Sequence, residues 1–149
     1  MAKSQKTATY DDVNLLLRLY DMRREEKLRK ARSWFLANCH PASLEDLMKT
    51  FPHGSEENTY MRMVVSYWDM VASFIKSGVL NQELFFESNR ELLLVWLRIK
   101  PTVAGLRETY KDQRAYHNLE TVANAYVEWM NERSPGSYDA FAAVITKAR

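Results

Sequence analysis

The chain has 149 residues, 46% of them hydrophobic, with only 4 glycines and 4 prolines, which suits one globular domain with a filled core and excludes disordered, collagen-like and multidomain readings. Its 21 Lys and Arg nearly balance 19 Asp and Glu, so a formal charge of +2 supplies no strong field toward nucleic acid or anionic lipid. The single Cys39 rules out an intramolecular disulfide and fits a reducing, cytoplasmic compartment. The longest unbroken apolar run, Leu92 to Leu97, falls far short of a membrane span.

Apolar residues recur at intervals of three and four rather than two, so the expected fold is all-α, a single helical bundle of six to seven helices around a central buried helix at about residues 58–77. Residues 1–9 carry basic residues but no apolar segment, and are expected to form a disordered lead rather than a secretory signal; residues 10–149 then form the helical domain. The first helix starts after Thr9, with Asp11 and Asp12 in its positive first turn, and is expected to run to about Asn38. Ser43 caps a short second helix, which ends before the loop Phe51-Pro52-His53-Gly54.

The third helix spans about 55–77 and closes at Gly78. Its polar stripe of Arg62, Ser66, Asp69, Ser73 and Lys76 leaves the rest of its circumference apolar, the signature of a surrounded helix. Asn81 caps a short helix through Phe86, and a longer one begins near Ser88 or Asn89. Along it Leu92, Trp96, Ile99, Val103, Leu106 and Tyr110 keep one face through Pro101, which is expected to bend or restart the helix near residues 97–101. A sixth helix runs from about Tyr116 or Asn118 to Glu132, and a last one follows Ser134-Pro135-Gly136.

The four candidate soft ligands, Cys39, His40, His53 and His117, lack zinc spacing, and no histidine follows a glutamate by three. Isolated glycines cannot cradle a phosphate, and Cys39 beside His40 does not face it on a helix. No catalytic residue, metal or cofactor is therefore expected. The run Arg23 to Arg32 holds six basic and two acidic residues, but its charges spread around the helix, with Arg18, Arg29 and Arg32 opposite the core.

On the wheel of the first helix, the core stripe is Val13, Leu17, Tyr20, Leu28, Ala31 and Phe35, and Arg24 falls at its middle. A guanidinium directed into a core needs a partner, so Arg24 is expected to meet Asp69 or Glu120 in a buried network. Alternatively, Arg24 with Arg62 or Arg107 binds a small anionic ligand between helices. Phe85 and Phe86 cannot both face inward on one short helix, and Trp34 and Trp129 sit at stripe edges; these four are the expected interaction surface.

Arg23-Arg24-Glu25 with Ala31-Arg32, Arg62 before Ser66-Tyr67-Trp68-Asp69-Met70, Gly78, Trp96 with Pro101 and Arg107, and Asn118-Leu119-Glu120 together resemble an uncharacterised family of bacterial helical domains, a domain of unknown function, over about residues 10–130. The resemblance implies a helical fold and a bacterial origin but no activity. Some members carry an N-terminal membrane anchor, and none is expected here. The expected function is a non-enzymatic interaction or scaffold module that binds an unidentified protein or itself. The alternatives are a nucleic-acid accessory using the basic first helix, which the spread of charge disfavours, and an anion-binding or enzyme domain centred on Arg24, Asp69 and Glu120.

Overall fold

A computed structural model describes residues 6–147, so the expected lead lies outside the described residues over its first five positions. Eight helices are present among the described residues: α1 Tyr10–Arg23, α2 Glu26–Asn38, α3 Leu44–Thr50, α4 Glu56–Lys76, α5 Gln82–Phe86, α6 Glu91–Thr109, α7 His117–Arg133 and α8 Ser137–Lys147. The fold is all-α, as the periodicity predicts. One helix exceeds expectation because the predicted first helix is two.

The break lies at Arg24-Glu25. Glu25 takes an extended ψ of 140°, and its carboxylate accepts from Leu28 N at 3.1 Å, so it caps α2 as a new start. The end of α1 is held in turn by Arg32, whose Nη1 donates to the Arg23 carbonyl at 3.3 Å. An interruption changes the phase of every residue on its N-terminal side. The expected core stripe therefore fails in α1, where Asp12 and Leu19 are buried and Leu15 and Leu16 half-buried, while Tyr10, Val13, Leu17 and Tyr20 face solvent. It holds in α2, where Ala31 and Phe35 are fully buried.

Helix α4 is the axis of the bundle, packed between α2 and α7 and crossed by α6. Its Val64, Val65, Trp68, Val71 and Ala72 are buried to within about one per cent, as expected for a helix apolar on most sides. Tyr67 reaches from it to donate to the Leu19 carbonyl at 2.6 Å, which ties α1 to the axis. Ser43 and Asn81 cap α3 and α5 as predicted, and Ser55, whose hydroxyl accepts from Asn58 N, caps α4. Gly78 supplies the left-handed turn after α4 with φ 82°.

Helix α6 begins at Glu91 and continues through Pro101 without a restart. Its expected face is buried from Leu92 to Val103 and then emerges, with Leu106 half-buried and Tyr110 exposed. At Gly105 a Cβ would stand 3.1 Å from that of Leu44, so the missing side chain lets α3 lie close against α6.

Phe85 and Phe86 are both buried, 0% and 1% exposed, which corrects the expected surface role. One short helix accommodates both because its last two residues lie between α4 and α7, while Gln82 and Glu83 stay exposed. Phe85 meets Trp68 on one side, and Phe86 meets Tyr126 and Trp129 on the other. Tyr126 seals the arrangement by donating to the Phe86 carbonyl at 2.5 Å.

Candidate functional site

The residues that the helical wheels set aside do not gather around Arg24. That side chain is exposed and lies 5.5 Å from the Tyr20 ring centroid, because the break before α2 turns it outward. Its neighbour Arg23 takes the inward course instead, between the rings of Tyr20 and Trp68 at 5.2 and 5.3 Å, with Nη1 3.4 Å from Asn89 Oδ1. Arg32, expected opposite the core, pairs with Glu91 at 2.5 Å, and both side chains are largely buried.

The other four members of the predicted set, Arg62, Asp69, Arg107 and Glu120, do converge, around the loop that joins α6 to α7. Arg107 donates from Nε to the Ala115 carbonyl at 3.0 Å and pairs with Glu120 at 3.4 Å. Asp69 accepts from Leu119 N at 3.0 Å, which anchors the first turn of α7, where a carboxylate also suits the free amides. These three side chains hold a loop with two left-handed non-glycine residues, Lys111 at φ 54° and Tyr116 at φ 55°. A bulky aromatic adopts that conformation only where surrounding contacts impose it.

The loop forms one wall of a pocket of about 250 Å³ between α3, α4 and α6. Its floor is apolar, with Leu47 and Met48 from α3, Met61 and Val65 from α4, and Ile99 and Leu106 from α6. Its rim carries Arg62, His53, Tyr110, Asp112 and Tyr116. The buried Asn58 side chain donates to the Phe51 carbonyl at 3.0 Å and accepts from Arg62 Nε at 3.1 Å, fixing the arginine stem. The Arg62 guanidinium makes no ion pair among the described residues. Burial pushes the Tyr116 hydroxyl above its ordinary pKa, the Asp69 carboxylate adds to the rise, and Arg62 opposes it.

The second feature is a surface. Tyr10, Val13, Leu17 and Tyr20 are 79%, 39%, 58% and 48% exposed and follow one another at spacings of three, four and three. Such spacing sets them in a single row on α1, the seam pattern of a paired helix. The expected surface tryptophans are spent elsewhere: Trp34 packs against Phe51 and Tyr60, and Trp129 against Phe86 and Tyr126 with Arg133 over it at 4.2 Å. Of the basic run, Arg29 remains exposed, Lys30 approaches Glu56 at 3.8 Å, and Arg32 is consumed by Glu91.

A family model described as "Domain of unknown function (DUF4760)" matches residues 8–129. The chain belongs to this family. No curated protein and no solved structure matches it. The DUF4760 match takes in α1 with its exposed row, all three walls of the pocket and the strained loop, and stops inside α7. Helix α8 lies beyond it. No helix of the described DUF4760 chain is long and apolar enough to cross a membrane.

Tyr116, Asn58 and the exposed row of α1 escaped the sequence reading. The row's spacing was visible in the sequence, but without the break at Arg24-Glu25 it reads as core. Tyr116 had no local signal, since its conformation is imposed by Arg107 and Asp69 from other helices.

Proposed function

We propose that this chain is a helical interaction module that pairs with a second copy of itself through α1. The observation that carries this reading is the exposed row Tyr10, Val13, Leu17 and Tyr20. The row is self-complementary when reversed. An antiparallel pair centred near Leu15 sets Tyr10 against the second copy's Tyr20 and Val13 against its Leu17, and the two-fold repeats both contacts. On the solvent flank Asp11 and Arg18, both exposed and neither ion-paired among the described residues, exchange across the same axis.

The contact is small. A tyrosine buries on the order of 200 Å² at most, so two exposed tyrosines and two partly exposed aliphatic residues supply only a few hundred Å² per copy, at the low end of specific interfaces. The pair is therefore weak and concentration-dependent. The cytoplasmic placement expected from the lone Cys39, and the bacterial origin implied by the family resemblance, form part of the same proposal.

Light scattering across a concentration series tests it. The expected result is a reversible monomer–dimer transition that Leu17→Asp abolishes without loss of helix content. A monomer at every concentration, or a dimer indifferent to Leu17→Asp, overturns it.

A further inference from the structure

We propose that the pocket between α3, α4 and α6 binds a small apolar carboxylate, its acid group on Arg62 and Tyr116 and its tail on the methionine-lined floor. The argument begins with what the rim charges are already doing. Arg107 is neutralised by Glu120 at 3.4 Å, Asp69 is occupied by Leu119 N at 3.0 Å, and the Asp112 carboxylate accepts from Arg114 N at 2.9 Å. Arg62 uses only Nε, on Asn58, which leaves the two terminal nitrogens of its fork without a partner among the described residues. A planar fork with two free donors matches a carboxylate in bidentate geometry.

The floor decides the rest of the ligand. Met48, Met61, Leu47, Val65, Ile99 and Leu106 present hydrocarbon and thioether surface, which adapts to a range of apolar shapes. Thr102, the buried polar residue below them, turns its hydroxyl to the Ile99 carbonyl at 2.7 Å. A cavity of roughly 150 Å³ holds a benzene ring, so about 250 Å³ takes a ring with a short acid arm, or a medium-length acyl chain. The left-handed Tyr116 fits this assignment, because the conformation held by Arg107 and Asp69 places its hydroxyl-bearing ring on the pocket wall beside the free guanidinium.

Phenylacetate and octanoate are the probes, titrated into isotope-labelled protein and followed by amide shifts, with phenylacetamide as the neutral counterpart. The expected result is saturable binding of at least one acid in the low millimolar range or below, with the largest shifts at Thr102, Leu106, Ala115 and Tyr116. The amide binds about tenfold more weakly or worse. Arg62→Gln, on an exposed side chain, leaves the fold intact and lowers acid affinity about tenfold, the loss of one charge-assisted contact. Met48→Trp fills the floor from a half-buried position and removes binding of acid and amide alike, with the helical spectrum as its control. Absence of saturable binding, equal affinity for acid and amide, or an unchanged affinity in Arg62→Gln overturns the proposal.

Discussion

Arg32 grips Glu91 through two parallel bonds, Nε to Oε1 at 2.7 Å and Nη2 to Oε2 at 2.5 Å, across 59 residues of sequence. The same carboxylate accepts from Trp68 Nε1 at 3.2 Å, so α2, α4 and α6 meet on a single acid group. Lysine keeps the charge but not the fork. Arg32→Lys is therefore expected to lower stability by about 2 kcal/mol, the scale of hydrogen bonds to a charged group, read as a lower denaturant midpoint.

Asp12 gives the fold an acid-sensitive tie. Its carboxylate accepts from Thr9 N at 2.8 Å and Asn81 N at 2.8 Å, and these bonds hold its pKa below the usual aspartate value. A carboxyl depressed in the folded state stabilises above its unfolded pKa, about 3.9, and that contribution fades as pH falls through the lower folded value. Wild-type protein is expected to lose melting temperature below about pH 4 more steeply than Asp12→Asn, which starts lower at neutral pH and responds less. Parallel pH profiles for the two proteins would contradict this.

The apolar residues of α5 and α1 separate stability from association. Phe86→Ala empties a site that is 1% exposed and is expected to cost about 3–5 kcal/mol. Leu17→Asp sits on a surface 58% exposed and is expected to change the melting temperature of the monomer little. Calorimetry on both variants at low concentration distinguishes the two roles.

Cys39 is fully buried, and burial pushes its thiol up to about 12. Almost none of it is thiolate at neutral pH, so alkylation is expected to proceed only through opening of the bundle. The modification rate should track stability across the variants above; rapid labelling of native protein would contradict the buried placement.

What could be read from the sequence follows a physical division. The caps at Ser43 and Asn81, the turn at Gly78 and the enclosed character of α4 are local or periodic properties, and each stands in the structure where expected. The break at Arg24-Glu25 combines a weak local signal, the Glu25 cap, with a distant one, Arg32 on the Arg23 carbonyl. Wheel arithmetic extended across it therefore misplaced Arg24 and the apolar row of α1.

The candidate site divides in the same way. Arg62, Asp69, Arg107 and Glu120 are the expected companions of Arg24, yet Asp69, Arg107 and Glu120 serve to hold a loop, and of these four only Arg62 keeps donors without a partner among the described residues. Arg98 was not legible at all. It is buried without a carboxylate partner among the described residues, and its Nη1 donates instead to the Leu36 and Cys39 carbonyls at 3.2 Å, where α2 ends. A cation at a helix C-terminus is stabilised by the carbonyl ends themselves, a partner that no residue-type pattern encodes.

Gly105 sets the width of the cavity from outside it. Leu44 lies one turn before Leu47 and Gly105 directly before Leu106 on the pocket floor, so the close approach of α3 to α6 there depends on the absence of a single methyl group. A side chain at that position would act as a shim against Leu44, which would have to yield by a few tenths of an ångström while every lining residue stayed the same. The calibre of the cavity is thus written in a residue that never faces its contents.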